Sequence, residues 1–278
     1  MPYGRRLRFF YLKAIYQKPY MNDLPLLHPD ERLDEVNEQI TLIQKKDGLT
    51  FGTDAYLLAA FIRPRKRARA VELGAGTGII SFLLVTKDKL SSTVMAELQP
   101  EFAELCERNA ALNRLSDRAA TLCIDIRDLT PARLGYECDL VYSNPPYMRT
   151  DSGLPNQSSA KNIARHETAG AISDFCLAAS RLLKHGGTFA CVYRPDRLAD
   201  LFRGLLEAGL EPKRMTFVCA DPETAPSMVL VESKKGGASG LTVTPPLFLY
   251  ESTEKAGTRP LSREAQRVYD TCALYPTP

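Results

Sequence analysis

From residue 70 onward, short apolar runs rich in branched residues alternate with longer stretches of helical periodicity. That alternation restricts the chain to a mainly parallel sheet with helices on both faces, an α/β fold. "RAVEL" (69–73), "STVMAEL" (92–98), "ATLCIDI" (120–126), "CDLVYS" (138–143) and "TFACVYR" (188–194) read as strands. Between them, "GIISFLLV", "QPEFAELCERNAALN" and "AISDFCLAASRLLKHGG" read as helices, the last ending at its glycine pair. A helix over "PDRLADLFRGLLEAG" then leads to "KRMTFVCA" and "SMVLVESKK", which pair as a closing hairpin. Upstream, "DGLTFGTDAYLLAAFI" reads as a turn followed by a helix opening at Thr53 or Asp54. Residues 237–278 show weak periodicity and read as peripheral.

"VELGAGTG" (71–78) lies where the first strand of this series passes into its helix. Gly74, Gly76 and Gly78 let the backbone approach a ligand at the strand end, where open α/β folds bind their ligands. The dinucleotide pattern needs glycine at 79, where isoleucine stands, and no phosphate-loop pattern occurs. Glu72, just before the loop, would repel a pyrophosphate but suits an ammonium or sulfonium charge. Glu97 ends the next strand, placed to accept hydrogen bonds from ribose hydroxyls. Asp125 ends the third, placed to meet an adenine edge. Each feature alone is equally a tight turn or a helix-capping acid. Together they describe a seat for an adenosine with a positive tail and no phosphates, which S-adenosylmethionine fits.

"SNPPY" (143–147) leaves the fourth strand on the same rim. Asn144 offers a carbonyl oxygen that accepts from an exocyclic amine. Pro145 and Pro146 have fixed φ and no N–H, so the turn is rigid and the Pro145 carbonyl can serve as a second acceptor. Tyr147 supplies a ring to stack on a planar substrate. Two acceptors on one amino group orient its nitrogen for in-line attack on a methyl. No strong base is needed, because the nitrogen becomes acidic once methylated. Asn144, Pro145 and Tyr147 are therefore the expected catalytic residues.

"ELGAGTG", Glu97, Asp125 and "NPPY" together resemble the class I S-adenosylmethionine-dependent methyltransferases that act on planar, conjugated nitrogens. Over residues 30–250 the chain is similar to the bacterial tRNA adenine-N6 methyltransferases, which modify the adenine next to the anticodon of a valine tRNA. "ERLDEV", "FGTDAYLLAAF", "NPPY" and "ARHE" (164–167) carry this closer likeness. The resemblance implies a Rossmann-like sheet of seven mostly parallel strands, the last antiparallel. It implies cofactor contacts at Glu72, Gly74, Gly76, Gly78, Glu97, Asp125 and Asn144, with Thr53 and Asp54 closing the pocket. Substrate contacts are expected at Asn144 and Tyr147, and at Arg149, Arg165 and His166 in the long polar loop beyond. Rival readings stay open: a protein glutamine-N5 methyltransferase, another rRNA or DNA amino-methyltransferase, and a catalytically silent RNA-binding protein.

Residues 1–20 carry Arg5, Arg6, Arg8, Lys13 and Lys18 and no acid, more than the whole net charge of +3, so the remainder is net acidic. This segment belongs to an expected N-terminal extension (1–29), with Met21 an alternative start; 30–250 is the expected enzyme domain and 251–278 a tail. "RPRKRAR" (63–69) precedes the first strand of the series and is expected at the rim opposite Asn144, as a solvated linker. The seven cysteines fit small core residues of a reducing cytosol, and the three histidines show no metal spacing. A cytoplasmic, metal-free, monomeric protein acting on tRNA is the expectation.

Overall fold

Strands buried on both faces need helices on both sides, and this chain supplies them. The computed structural model describes residues 27–46, 52–146, 171–251 and 259–274. A hairpin comes first, β1 (Glu31–Glu35) and β2 (Thr41–Lys45), and then α1 (Thr53–Phe61). The alternating part is β3 (Ala70–Leu73), α2 (Ile79–Thr86), β4 (Thr93–Glu97), α3 (Pro100–Leu112), β5 (Ala119–Cys123), α4 (Pro131–Leu134) and β6 (Cys138–Ser143). From residue 171 onward come α5 (Ile172–Leu182), β7 (Leu183–Tyr193), α6 (Leu198–Glu207), β8 (Leu210–Cys219) and β9 (Met228–Lys235). Two short strands, β10 (Thr242–Val243) and β11 (Leu247–Phe248), and α7 (Arg263–Thr271) complete the chain.

The sheet runs β5-β4-β3-β6-β7-β9-β8, with β9 antiparallel to both neighbours and the other pairs parallel. This is the expected seven-stranded arrangement with one antiparallel strand. Beyond it, β10 and β11 add to the far edge of β8. Alternation along the strands sorts the core. Ala70, Tyr142, Ala190 and Leu230 face the side of α1, α2 and α7, whereas Val71, Leu73, Val141 and Phe189 face α5 and α6.

The C-terminal segment departs from the expected peripheral tail. Helix α1 is buried from Ala55 to Phe61, so it needs cover on its outer side as well as against the sheet. Helix α7 and its flank provide it through Ala265, Val268, Cys272 and Leu274, with Tyr56 Oη donating to Tyr269 O at 2.6 Å. The other end of α1 is closed by buried Lys89, whose ammonium donates to the carbonyls of Ala59, Ala60 and Ile62. Burial pushes that lysine down to about 8.

A second departure is the end of α5. The helix stops at Leu182, short of the glycine pair, because Lys235 donates to the carbonyls of Ser180 and Leu183 and takes over the capping. Gly186, at φ 77°, sits in an irregular register of β7 against β6. The basic linker lies at the N-terminal ends of the strands as expected, beside Asp139 and Lys184. Six of the seven cysteines are buried, and Cys123 is exposed on edge strand β5. Among the described residues, no helix is long and apolar enough to cross a membrane.

Candidate active site

The glycine loop between β3 and α2 is fixed by its main chain. The N–H groups of Gly74 and Ala75 donate to Ala96 O at 2.9 and 3.2 Å, tying the loop to β4. Gly76 N–H donates to Glu97 Oε2 at 2.8 Å, while Glu97 Oε1 accepts from Gln99 N. Helix α3 holds the loop's other side: Cys106 Sγ donates to Gly76 O, and Asn109 Nδ2 donates to Thr77 O. All three glycines sit at positive φ, between 57° and 85°. Their reasons differ. A Cβ on Gly78 would lie 2.7 Å from the Phe82 ring and 3.0 Å from Met95 Sδ, so that glycine is required by packing. A Cβ on Gly76 would meet no atom of the described residues within 4 Å, so its outer face opens onto free space.

That open face is bordered by a carboxylate. Glu97 is 5% exposed, and burial raises its pKa against the opposing pull of its N–H donors. A carboxylate has about four acceptor sites, more than its backbone N–H donors occupy, which leaves room to accept from ribose hydroxyls. Bare backbone, open space and a strand-end acceptor fit an adenosine-type cofactor.

Glu72 corrects the expectation. It lies on the opposite face of β3 from Val71 and Leu73, is 1% exposed, and accepts from Ser81 N at 3.1 Å. Ser81 is the third residue of α2, whose N-cap, Gly78, has no side chain; Glu72 caps the helix from the preceding strand. The carboxylate is also 2.5 Å from Ser81 Oγ, which is 2.7 Å from Tyr142 Oη, itself 2.8 Å from Thr93 Oγ1; that hydroxyl in turn reaches Ala70 O. The three hydroxyl protons of Ser81, Tyr142 and Thr93 must serve the links from Glu72 through to Ala70. Ser81 directs both its N–H and its hydroxyl to the same Glu72 oxygen. Burial raises Glu72 to about 8, against the opposing pull of the two Ser81 hydrogen bonds.

Asn144 follows β6 at the level of Gly74, since Glu72 pairs with Tyr142 across β3 and β6. Ser143 Oγ donates to Leu73 O at 2.7 Å and fastens the two strand ends together. The Asn144 Nδ2 group donates to Asp54 Oδ2 at 2.8 Å. A carboxylate only accepts, so it selects the amide's donor end and turns the carbonyl oxygen away from itself. Asp54 stands in the first turn of α1, which the buried core and α7 hold in place. Thr53 is committed elsewhere, hydrogen-bonded to Tyr269 of α7.

Asp125 lies two residues past the end of β5, not at its end as expected, and its carboxylate forms a pair with Arg127 at 2.5–3.0 Å. The guanidinium holds this carboxyl below its usual range. Tyr147, Arg149, Arg165 and His166 lie outside the described residues. The structure thus brings together Gly74, Gly76, Gly78, Glu97, Asn144 and Asp54, and turns Glu72 inward. Ser81, Arg127 and Asn109 were not singled out in the sequence. An asparagine at 109 inside a helix, where this residue type is a poor former, was the available signal.

The family described as methyltransferase small domain matches residues 45–201. A tRNA1(Val) (adenine(37)-N6)-methyltransferase of Bacteroides fragilis is 29% identical over 195 residues, covering 70% of this chain and 81% of that protein. One of the same description from Porphyromonas gingivalis is 30% identical over 187 residues, covering 65% of this chain and 72% of that protein. Among solved structures, a predicted O-methyltransferase of Agrobacterium tumefaciens is similar with a TM-score of 0.64 at 22% identity, covering 80% of this chain and 98% of that one.

Proposed function

Because the chain belongs to the methyltransferase small domain family, we propose that it methylates the exocyclic N6 of an adenine in tRNA, using S-adenosylmethionine. Relatives described as tRNA1(Val) (adenine(37)-N6)-methyltransferases support the adenine next to the anticodon as the target. The observation that carries the chemistry is the Asn144 amide, oriented by Asp54 at the level of the glycine loop.

Gly74, Gly76, Gly78 and Glu97 would hold the cofactor, the glycines by close backbone approach and Glu97 by accepting from ribose hydroxyls. When bound, S-adenosylmethionine supplies an electrophilic methyl group. Asn144 Oδ1 accepts from the adenine amine and holds that nitrogen with its lone pair directed into the site. Hydrogen-bonding the amine this way opposes conjugation of its lone pair with the ring. Asp54 keeps the amide from rotating, so the acceptor is in place before the base arrives. Pro145, itself buried, fixes the turn, and Tyr147 would stack on the base. An unpaired anticodon-loop adenine suits this site, because splaying it out requires only about a few kcal/mol.

The test is methyl transfer by the purified chain to tRNA from cells lacking its gene. Nucleoside mass spectrometry should show N6-methyladenosine. Methylglutamine in protein with unmodified RNA would replace this reading with the amide-methylating one, and absence of any methyl acceptor would favour a silent binding protein.

A further inference from the structure

Helix α3 and its C-cap present two asparagines, Asn109 and Asn113, one turn apart. Each treats one residue of β2 as a neighbouring strand would. Asn113 Oδ1 accepts from Thr41 N at 2.9 Å and its Nδ2 donates to Thr41 O at 2.8 Å. Asn109 Oδ1 accepts from Ile43 N at 2.7 Å and its Nδ2 donates to Ile43 O at 3.2 Å. The spacing explains the fit. Four helical residues rise about 6 Å and two strand residues about 6.7 Å, so amides at i and i+4 meet alternate residues of an edge. A bidentate Arg108–Glu31 pair, with Glu31 held down at about 2 by the guanidinium, fastens β1 to the same helix. The second Nδ2 hydrogen separates the two asparagines. Asn113 donates it to Asn109 O, within its own helix, whereas Asn109 donates it at 3.2 Å to Thr77 O in the glycine loop.

We propose that Asn109 is a positioning residue of the cofactor loop, joining the docked β1–β2 hairpin to the Thr77 carbonyl through one fully buried amide. This rests on the glycine loop being the cofactor's seat. Gly76 and Thr77 each present a carbonyl to α3, taken by Cys106 and Asn109 on one helix face. Fixing the Thr77 carbonyl fixes the peptide plane leading into Gly78, whose N–H donates to Ala75 O and closes the turn. The loop's open face is thereby set in part by the hairpin. Asn113 binds the same strand with the same chemistry and does not reach the loop, so it is a control built into the fold.

The experiment compares Asn109→Asp with Asn113→Asp in the full chain. Both substitutions are isosteric and place an acceptor against a β2 carbonyl, so both should lower the melting temperature. Only Asn109→Asp also turns an acceptor toward Thr77 O. Hydrogen exchange of the segment 74–81 without cofactor should rise in that variant and stay as in the wild type in Asn113→Asp. Calorimetric titration with S-adenosylmethionine should show affinity weakened about tenfold, equivalent to about 1.4 kcal/mol, in Asn109→Asp alone. Asn109→Ser, too short to reach Thr77, should repeat both results if the aspartate variant does not fold. Equal exchange and affinity in the 109 and 113 variants would overturn the proposal. Wild-type protein that failed to bind S-adenosylmethionine would instead refute the cofactor reading, while the exchange comparison would still decide the clamp.

Discussion

The glycine loop and the Asn144 turn stand side by side on one rim, yet they are held in different ways. The loop is pinned through its main chain, by Ala96, Glu97, Cys106 and Asn109 from two neighbouring elements. Asn144 is set at its side chain, by the charged Asp54 from a helix far away in sequence. A surface preorganised in its backbone governs affinity for whatever lies on it, because little order remains to be gained on binding. A side chain aimed by a charge governs where a reacting nitrogen sits, which is a matter of turnover. The two regions should therefore fail separately.

The largest effect should come from Asn144→Ala. Turnover should fall on the order of 10²–10³-fold, the loss typical of a preorganised polar group, with cofactor affinity within about twofold. Parallel loss of affinity, measured by calorimetry on the same sample, would break the separation. Within the loop, Gly76→Ala and Gly78→Ala sharpen it. Each places a side chain at positive φ, a strain of roughly 1–2 kcal/mol. Gly78→Ala adds overlap with Phe82 and Met95, so its melting temperature should drop further. Gly76→Ala should stay closer to wild-type stability and lose cofactor affinity, because its methyl enters the open space. The reverse order of stabilities would contradict the packing account.

Asp54→Asn comes next. An amide in place of the carboxylate no longer dictates which end of Asn144 faces it, and turnover should fall about tenfold, the worth of a hydrogen bond to a charged group. Unchanged turnover would mean that Asn144 is oriented by something else. A separate effect, on stability and not on turnover, concerns Glu72, which belongs to neither surface. Its carboxyl is raised to about 8 in the folded chain from an ordinary 4.5, so the folded state holds the extra proton between those values. Stability from this group is full below pH 4.5, declines as pH rises toward 8, and is level above. Glu72→Gln should remove up to about 1.4 kcal/mol per pH unit from the slope across that window, read from urea unfolding at several pH values. An unaltered slope would show that Glu72 is charged in the fold.

What could be read in advance follows the range of the interactions. Strand alternation, the loop glycines and the Asn144 turn are local patterns, and the sheet order places them on one rim. The inward turn of Glu72 was not legible because its position at a strand end was visible and its face was not; the alternation that points Val71 and Leu73 one way points it the other. The end of α5 depends on Lys235, more than fifty residues away, and local helical periodicity carries no trace of it. Helix α7 was missed for a related reason: its role follows from α1 being apolar all round, a demand written two hundred residues earlier. Asn109 was legible only as an oddity, an asparagine inside a helix that prefers other residues.

The most direct test of the account is a paired measurement on wild-type and Asn144→Ala protein given the same unmodified valine tRNA and S-adenosylmethionine. Nucleoside mass spectrometry and cofactor titration are run on each sample. The account predicts N6-methyladenosine from the wild type, at least about a hundredfold less from the variant, and closely similar cofactor affinity in both. Equal N6-methyladenosine from the two proteins, or a wild type that binds the cofactor and leaves every adenine of the tRNA unmethylated, would contradict it.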